Sequence, residues 1–144
     1  MRRPVLLNPV AYAIEGASKL PPEQRAGILA GNAMALAALR KGDATRDQFD
    51  RLTQAILIAD ELRAFGLASD HADTFAKAID ALAAILARTE LTAGRYVARG
   101  PELTAIDDAV FVHSVQIEHV ALSEMERAQG RLSSQWQQQK RAAA

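Results

Sequence analysis

The 144-residue sequence contains no cysteine, which excludes disulfides, thiolate nucleophiles and zinc–thiolate sites and fits a reducing compartment. A surplus of one charge is also missing: 17 Lys and Arg balance 17 Asp and Glu. A dedicated nucleic-acid binder carries a basic surplus, so here only a local patch can serve that role. No apolar run reaches the roughly 20 residues that a membrane-spanning helix needs. Aromatics are 5% of the chain, and Val and Thr are sparse, which disfavours strands. The opening stretch MRRPVLLNPVAYAIEGASKL has a charged head and a short apolar part. Asn8, Pro9 and Glu15 interrupt it, and no A-x-A-like cleavage site follows. It therefore reads as mature protein, with the cytoplasm as the expected location.

What the chain has instead is alanine, about a fifth of all residues, which favours helix because its side chain loses no entropy on ordering. The length suits one domain. Start and stop signals predict five helices. The first spans about Pro9 to Ser18, with Asn8 as cap and Leu7 stapling Tyr12. The second spans Pro22 to Lys41 and stops at Gly42. The third is capped by Thr45, with Gln48 at capping-box spacing. It ends at Phe65 before a left-handed Gly66, with Leu67 reaching back to Leu62. The fourth spans about Asp70 to Arg88, capped by Ser69 or Asp70. The stretch TELTAGRYVARGPEL is irregular, with RYVARG as a short extended piece. The fifth helix begins near Pro101 and runs to Gln129 or beyond, with Gly130 as a kink or end. The expected fold is all-α, an antiparallel bundle of about five helices with a long C-terminal helix. Residues 1–130 form the domain, and 131–144 form a basic, Gln-rich, frayed tail.

Turning each helix at about 100° per residue separates its faces. In the fourth, Phe75, Ile79, Leu82 and Leu86 form a core stripe opposite Asp73, Lys77, Asp80 and Arg88. In the third, Phe49, Leu52, Ile56 and Ala59 lead a broad apolar side, while Leu57 falls among polar residues. Leu57 is either an ordinary exposed leucine or a partner contact. In the second, Asn32 interrupts the stripe of Ile28, Leu29, Leu36 and Leu39. It is either a bonded buried amide, a residue at the bundle end, or a polar group fixing register or lining a pocket. Gly27 and Gly31 have the spacing that lets another helix approach closely.

The fifth helix is apolar on two sides. Ile106, Val110, Ile117 and Ala121 form one stripe; Phe111, Val115 and Leu122 form a second, about 140–160° away. A helix greasy on opposite sides must be covered on both. Either the other helices wrap it or a second chain meets it, and a homodimer is the favoured reading, with Leu57, Phe111, Val115 and Leu122 as interface candidates. His113 lies at the edge of the first stripe and His119 in a polar wedge, about 120° apart, so one helix cannot aim both at one ion. The His-x-x-x-His and Glu-x-x-His patterns of zinc and di-iron helices are absent. An ion held between helices with His71 and Asp70 is the remaining metal arrangement. Were His113 buried in an interface, protonation near about pH 6 would weaken association.

Catalytic signatures are missing. No G-x-S-x-G elbow occurs, GILAGNA lacks the strand–loop–helix context of a phosphate cradle, and adjacent carboxylates such as Asp107 and Asp108 diverge on a helix. No cofactor is expected, and a small-molecule or metal-dependent enzyme is the disfavoured alternative. After Glu126 the chain has no acid but has Arg127, Arg131, Lys140 and Arg141, with Trp136 among glutamines. This is either a solubilising helix end suited to the helix dipole or a phosphate grip for a DNA-associated regulator. LRKGDATRDQFDRLTQAI resembles a helix-turn-helix in spacing, but Asp47 and Asp50 on the second helix would face phosphates.

The segments LLNPVAYAIEGASKLPPEQR, LRKGDATRDQFDRL and GLASDHADTFAKA resemble small helical proteins of unassigned role encoded on proteobacterial genomes, plasmids and prophages. The resemblance implies a bacterial regulatory or mobile-element accessory protein and carries no catalytic residue with it. The expectation is a non-enzymatic protein acting by self-association and protein binding.

Overall fold

A computed structural model describes residues 17–143. The expected first helix, Pro9–Ser18, lies almost wholly outside the described residues. Within them the chain is all-α. It forms α1 (Pro22–Lys41), α2 (Arg46–Ala64), a short 3-10 turn (Ser69–His71), α3 (Ala72–Ala87), α4 (Gly100–His119) and α5 (Leu122–Ala143). Among the described residues the one extended pairing is an isolated antiparallel bridge between Lys19 and Ala121.

Several helix ends follow from local chemistry. α1 starts on Pro22, whose missing N–H costs nothing there. It stops at Gly42, left-handed at φ 78°, whose N–H bonds the Leu39 carbonyl while Asp43 N–H bonds that of Ala38. Thr45 and Gln48 form the reciprocal capping box of α2. Gly66, at φ 102°, ends α2, and Leu67 N–H reaches back to the Leu62 carbonyl at 3.1 Å. The entry to α3 differs from expectation: the 3-10 turn precedes the helix, and no side chain caps α3. RYVARG forms no strand. Tyr96 stacks on Phe49 at 4.4 Å between ring centroids, and Arg88 donates to the Val97 carbonyl and, through two nitrogens, to Glu102. That clamp docks the α3–α4 connection on the core. It also holds the Glu102 carboxyl below the usual carboxylate range, chiefly through the Arg88 hydrogen bonds.

The expected single long last helix is two helices. Val120, at φ −65° and ψ 137°, leaves the helical region between α4 and α5. Its side chain is fully buried. The freed N–H groups find new acceptors: Ala121 bonds Glu124 Oε1, and Leu122 bonds the Ser18 carbonyl. No Pro or Gly marks this break, so only Glu124, three residues after Ala121, hinted at a new start. α5 then continues through Gly130 and the expected frayed tail to Ala143.

Two apolar clusters make the core. Leu36, Phe49, Leu52, Ile56, Phe75, Ile85 and Ile106 anchor the larger; Leu20, Leu62, Ile117, Val120, Met125 and Ala128 form the smaller, at the α4–α5 corner. Leu86, placed in the α3 core stripe by its spacing, is 54% exposed, because the buried face of α3 centres on Ala78 and Ile85 and leaves Leu86 at its edge. α1 runs antiparallel to α4, tied by Arg25 to Glu118 at 3.1 Å and Arg40 to Asp107 at 3.4 Å.

Asn32 is buried, and its partner is a side chain from the next helix: Arg51 Nε donates to Asn32 Oδ1 at 3.3 Å, and Arg51 Nη2 to the Gly27 carbonyl at 3.4 Å. A Cβ at Gly31 would lie 2.1 Å from the guanidinium carbon. Gly31 thus admits an arginine side chain rather than a helix backbone, while a Cβ at Gly27 would meet nothing within 4 Å. Arg51→Ala leaves the Asn32 amide short of a partner and should cost about 1–3 kcal/mol. In that background Gly31→Ala should recover about 0.5–1 kcal/mol of helix propensity. In the native background the same change displaces Arg51 and the gain shrinks or reverses. Denaturant titration of both single variants and the double variant checks this; an equal Gly31→Ala effect in both backgrounds would refute the packing.

Candidate protein-interaction site

α4 has two unlike sides. Its inner side buries Ile106, Ala109, Val112, His113, Gln116 and Ile117. A polar pair sits there. Gln116 Nε2 donates to the carbonyls of Ala59 in α2 and Leu67 in the following turn, both at 3.0 Å. Gln116 Oε1 lies 2.9 Å from His113 Nδ1. With both amide hydrogens committed, Oε1 is an acceptor, so neutral His113 carries its proton on Nδ1. Burial pushes the His113 pKa below the ordinary imidazole value, and the Gln116 hydrogen bond only partly opposes this. His113 is covered by its own chain, so its protonation bears first on folding, not on an interface between chains. His119, about 120° away by helix geometry, is exposed.

The outer side carries Phe111, 71% exposed, and Val115, 47% exposed, one turn apart. Asp107 and Glu118 lie toward α1, and Asp108 and His119 lie on the other flank, all exposed. α1 alongside exposes Ala30, Ala33 and Met34. α4 has four carboxylates and no Lys or Arg. The face is therefore an apolar strip in an acidic helix.

The other interface candidates do not join it. Leu122 falls beyond the break at Val120, begins α5, and packs partly buried against the smaller core cluster. The change of direction removes it from the Phe111–Val115 line. Leu57 is partly buried on α2. α2 packs on the inner side of α4, so Leu57 lies away from the strip.

Nor do the four cations form one free patch. Arg131 Nε lies 3.2 Å from Glu61 Oε2, and the guanidinium groups of Arg127 and Arg131 sit over the Phe65 ring at 5.1 and 5.7 Å. Lys140 lies over the Trp136 ring at 5.5 Å. Arg131 and Lys140 project about 180° apart on α5. A shallow groove runs past Arg127, Arg131, Ser134 and Gln138. Beyond Leu132 every described residue of α5 is exposed, Trp136 at 61%. Trp136 extends the stripe of Met125, Ala128 and Leu132 past the end of the bundle. Its spacing of three and four was legible in the sequence; the engagement of Arg131 by Glu61, 70 residues earlier, was not.

Among the described residues no three His, Asp or Glu side chains gather to hold a metal ion, and no helix is long and apolar enough to cross a membrane. No protein-family model, curated protein or solved structure matches the chain.

The buried His113 gives a pH prediction. Its folded pKa is depressed, so between that value and about 6.5 the unfolded chain binds the extra proton and the folded chain does not. Stability from the neutral imidazole is complete above this window and is lost as pH falls through it. Urea unfolding from about pH 7.5 to about pH 5 should show a decline that His113→Gln reduces. An unchanged pH slope in the variant would contradict the assignment.

Proposed function

We propose that this is a non-enzymatic helical protein that acts by self-association and protein binding, with the outer face of α4 as its contact surface. The observation that carries the reading is the pair Phe111 and Val115, left exposed by the described residues and one turn apart. Scattered exposed apolar residues need no explanation, but a Phe and a Val side by side on one helix face, next to an alanine-rich helix, form a surface that gains from being covered.

Nucleic-acid binding by the C-terminal cations is less well supported. Arg127 and Arg131 are engaged with Phe65 and Glu61. Lys140 and Arg141 alone would neutralise two phosphates, a small share of duplex affinity.

Sedimentation over a concentration series tests the reading. The native protein should shift from one chain to two, and Phe111→Asp should remain a single chain while keeping its helical circular dichroism. Removing an exposed aromatic from a monomer surface leaves stability within about 0.5 kcal/mol, so a loss of association without a loss of fold is the expected signature. A native protein that stays a single chain at high concentration would overturn the proposal.

A further inference from the structure

Resting on that reading, we infer that the surface covering the α4 strip is the projecting end of α5 from a second copy of the same chain, so that two copies exchange C-terminal arms.

Three observations meet here. First, beyond Gln135, which donates to Glu61 on α2, the arm leaves its own bundle. From Ser133 to Ala143 it is exposed on every side, yet Trp136 continues the apolar line that Met125 and Ala128 bury. Second, the charges are complementary. Of the α4 carboxylates, Glu102 is already held by Arg88; after Glu126, α5 has no anion, and past its contacts with α2 it offers Lys140 and Arg141. Arg25 and Arg40 already meet Glu118 and Asp107, while Asp108 lies exposed on the other flank of the strip. Third, the lengths are compatible. From Trp136 to Ala143 the arm rises about 10 Å and α4 from Asp108 to Glu118 about 15 Å, so the arm fits within the strip.

The arm cannot serve its own chain. α5 is one continuous helix, held against α2 by Arg131 and Gln135, both on Glu61. α2 lies on the inner side of α4, where Gln116 bonds Ala59. The outer strip faces the other way, so it is reached by another copy. Two arms pairing with each other would place cations against cations, whereas arm on strip brings Lys140 and Arg141 toward the exposed Asp108. If each copy both lends its arm and receives one, the contact closes on itself as a two-fold dimer rather than growing into a fibre.

The test is a mixing experiment on full-length chains. Trp136→Glu spoils the arm and leaves the strip; Phe111→Asp spoils the strip and leaves the arm. Both positions are exposed, so folding is preserved, and circular dichroism checks this. Each variant alone should sediment as a single chain. Mixed, they should form a one-to-one complex, one intact arm on one intact strip, weaker than the native dimer and weakened further by added salt. Lys140→Glu with Arg141→Glu should weaken the native dimer at least tenfold. If Trp136→Glu dimerises as well as the native chain while Phe111→Asp does not, strip meets strip: the arm exchange is wrong and the self-association proposal survives. If the native chain never dimerises, both fall.

Discussion

Two carbonyl groups determine which way α4 faces. Those of Ala59 and Leu67 project toward the α4–α5 corner, and one amide, Gln116, bonds both. The Gln116 amide is buried, and left unpaired such a group costs about 1–3 kcal/mol; bonded to both carbonyls, it ties α4 to the end of α2 at one rotation. His113 completes the network through Gln116 Oε1. Apolar packing tolerates small rotations of a helix, but a side chain that must reach two fixed acceptors does not. With Gln116 and His113 turned inward, Phe111 and Val115 are turned outward.

The break at Val120 acts with that constraint. Had α4 continued straight, Leu122 would have extended the outer strip. Instead Val120 enters the smaller core cluster, Leu122 packs beside it, and α5 sets off along α2. The turn divides the acidic helix from the basic one and carries the basic end away from the acidic face of the same chain. Arg88, Arg40 and Arg25 meet Glu102, Asp107 and Glu118 within the chain, while Asp108 on α4 and Lys140 and Arg141 on α5 are held apart and exposed.

Much of this was legible in the sequence. The ends of α1 and α2 were written in Gly42, Thr45, Gln48 and Gly66, because those signals act through backbone groups a few residues away. That Phe111 and Val115 share a side of the helix away from Ile106 was legible from spacing; that the described residues leave this side exposed was not. Other features were not. The Val120 break depends on acceptors from Ser18 and Glu124, and nothing at Val120 itself forbids a helix. Asn32 was recognised as anomalous, but its partner Arg51 comes from another helix. His113 was placed at an apolar edge, whereas the question of whether its own chain or another covers it depends on tertiary packing. The spacing puts Leu86 in the α3 core stripe, but small alanines at 78 and 81 let the buried face turn toward Ile85 and away from Leu86. Contacts made within one turn could be read; contacts made across the bundle could not.

Residue-level solvent footprinting by hydroxyl radicals, repeated over a concentration series, tests the central claim most directly, because it reports which side of α4 is covered and by what. The account predicts that Phe111 and Val115 react freely in dilute protein and become protected as concentration rises, while His113 stays protected throughout. Phe111 and Val115 protected even at the lowest concentration would mean that the chain covers both sides of α4 by itself, and would contradict the account.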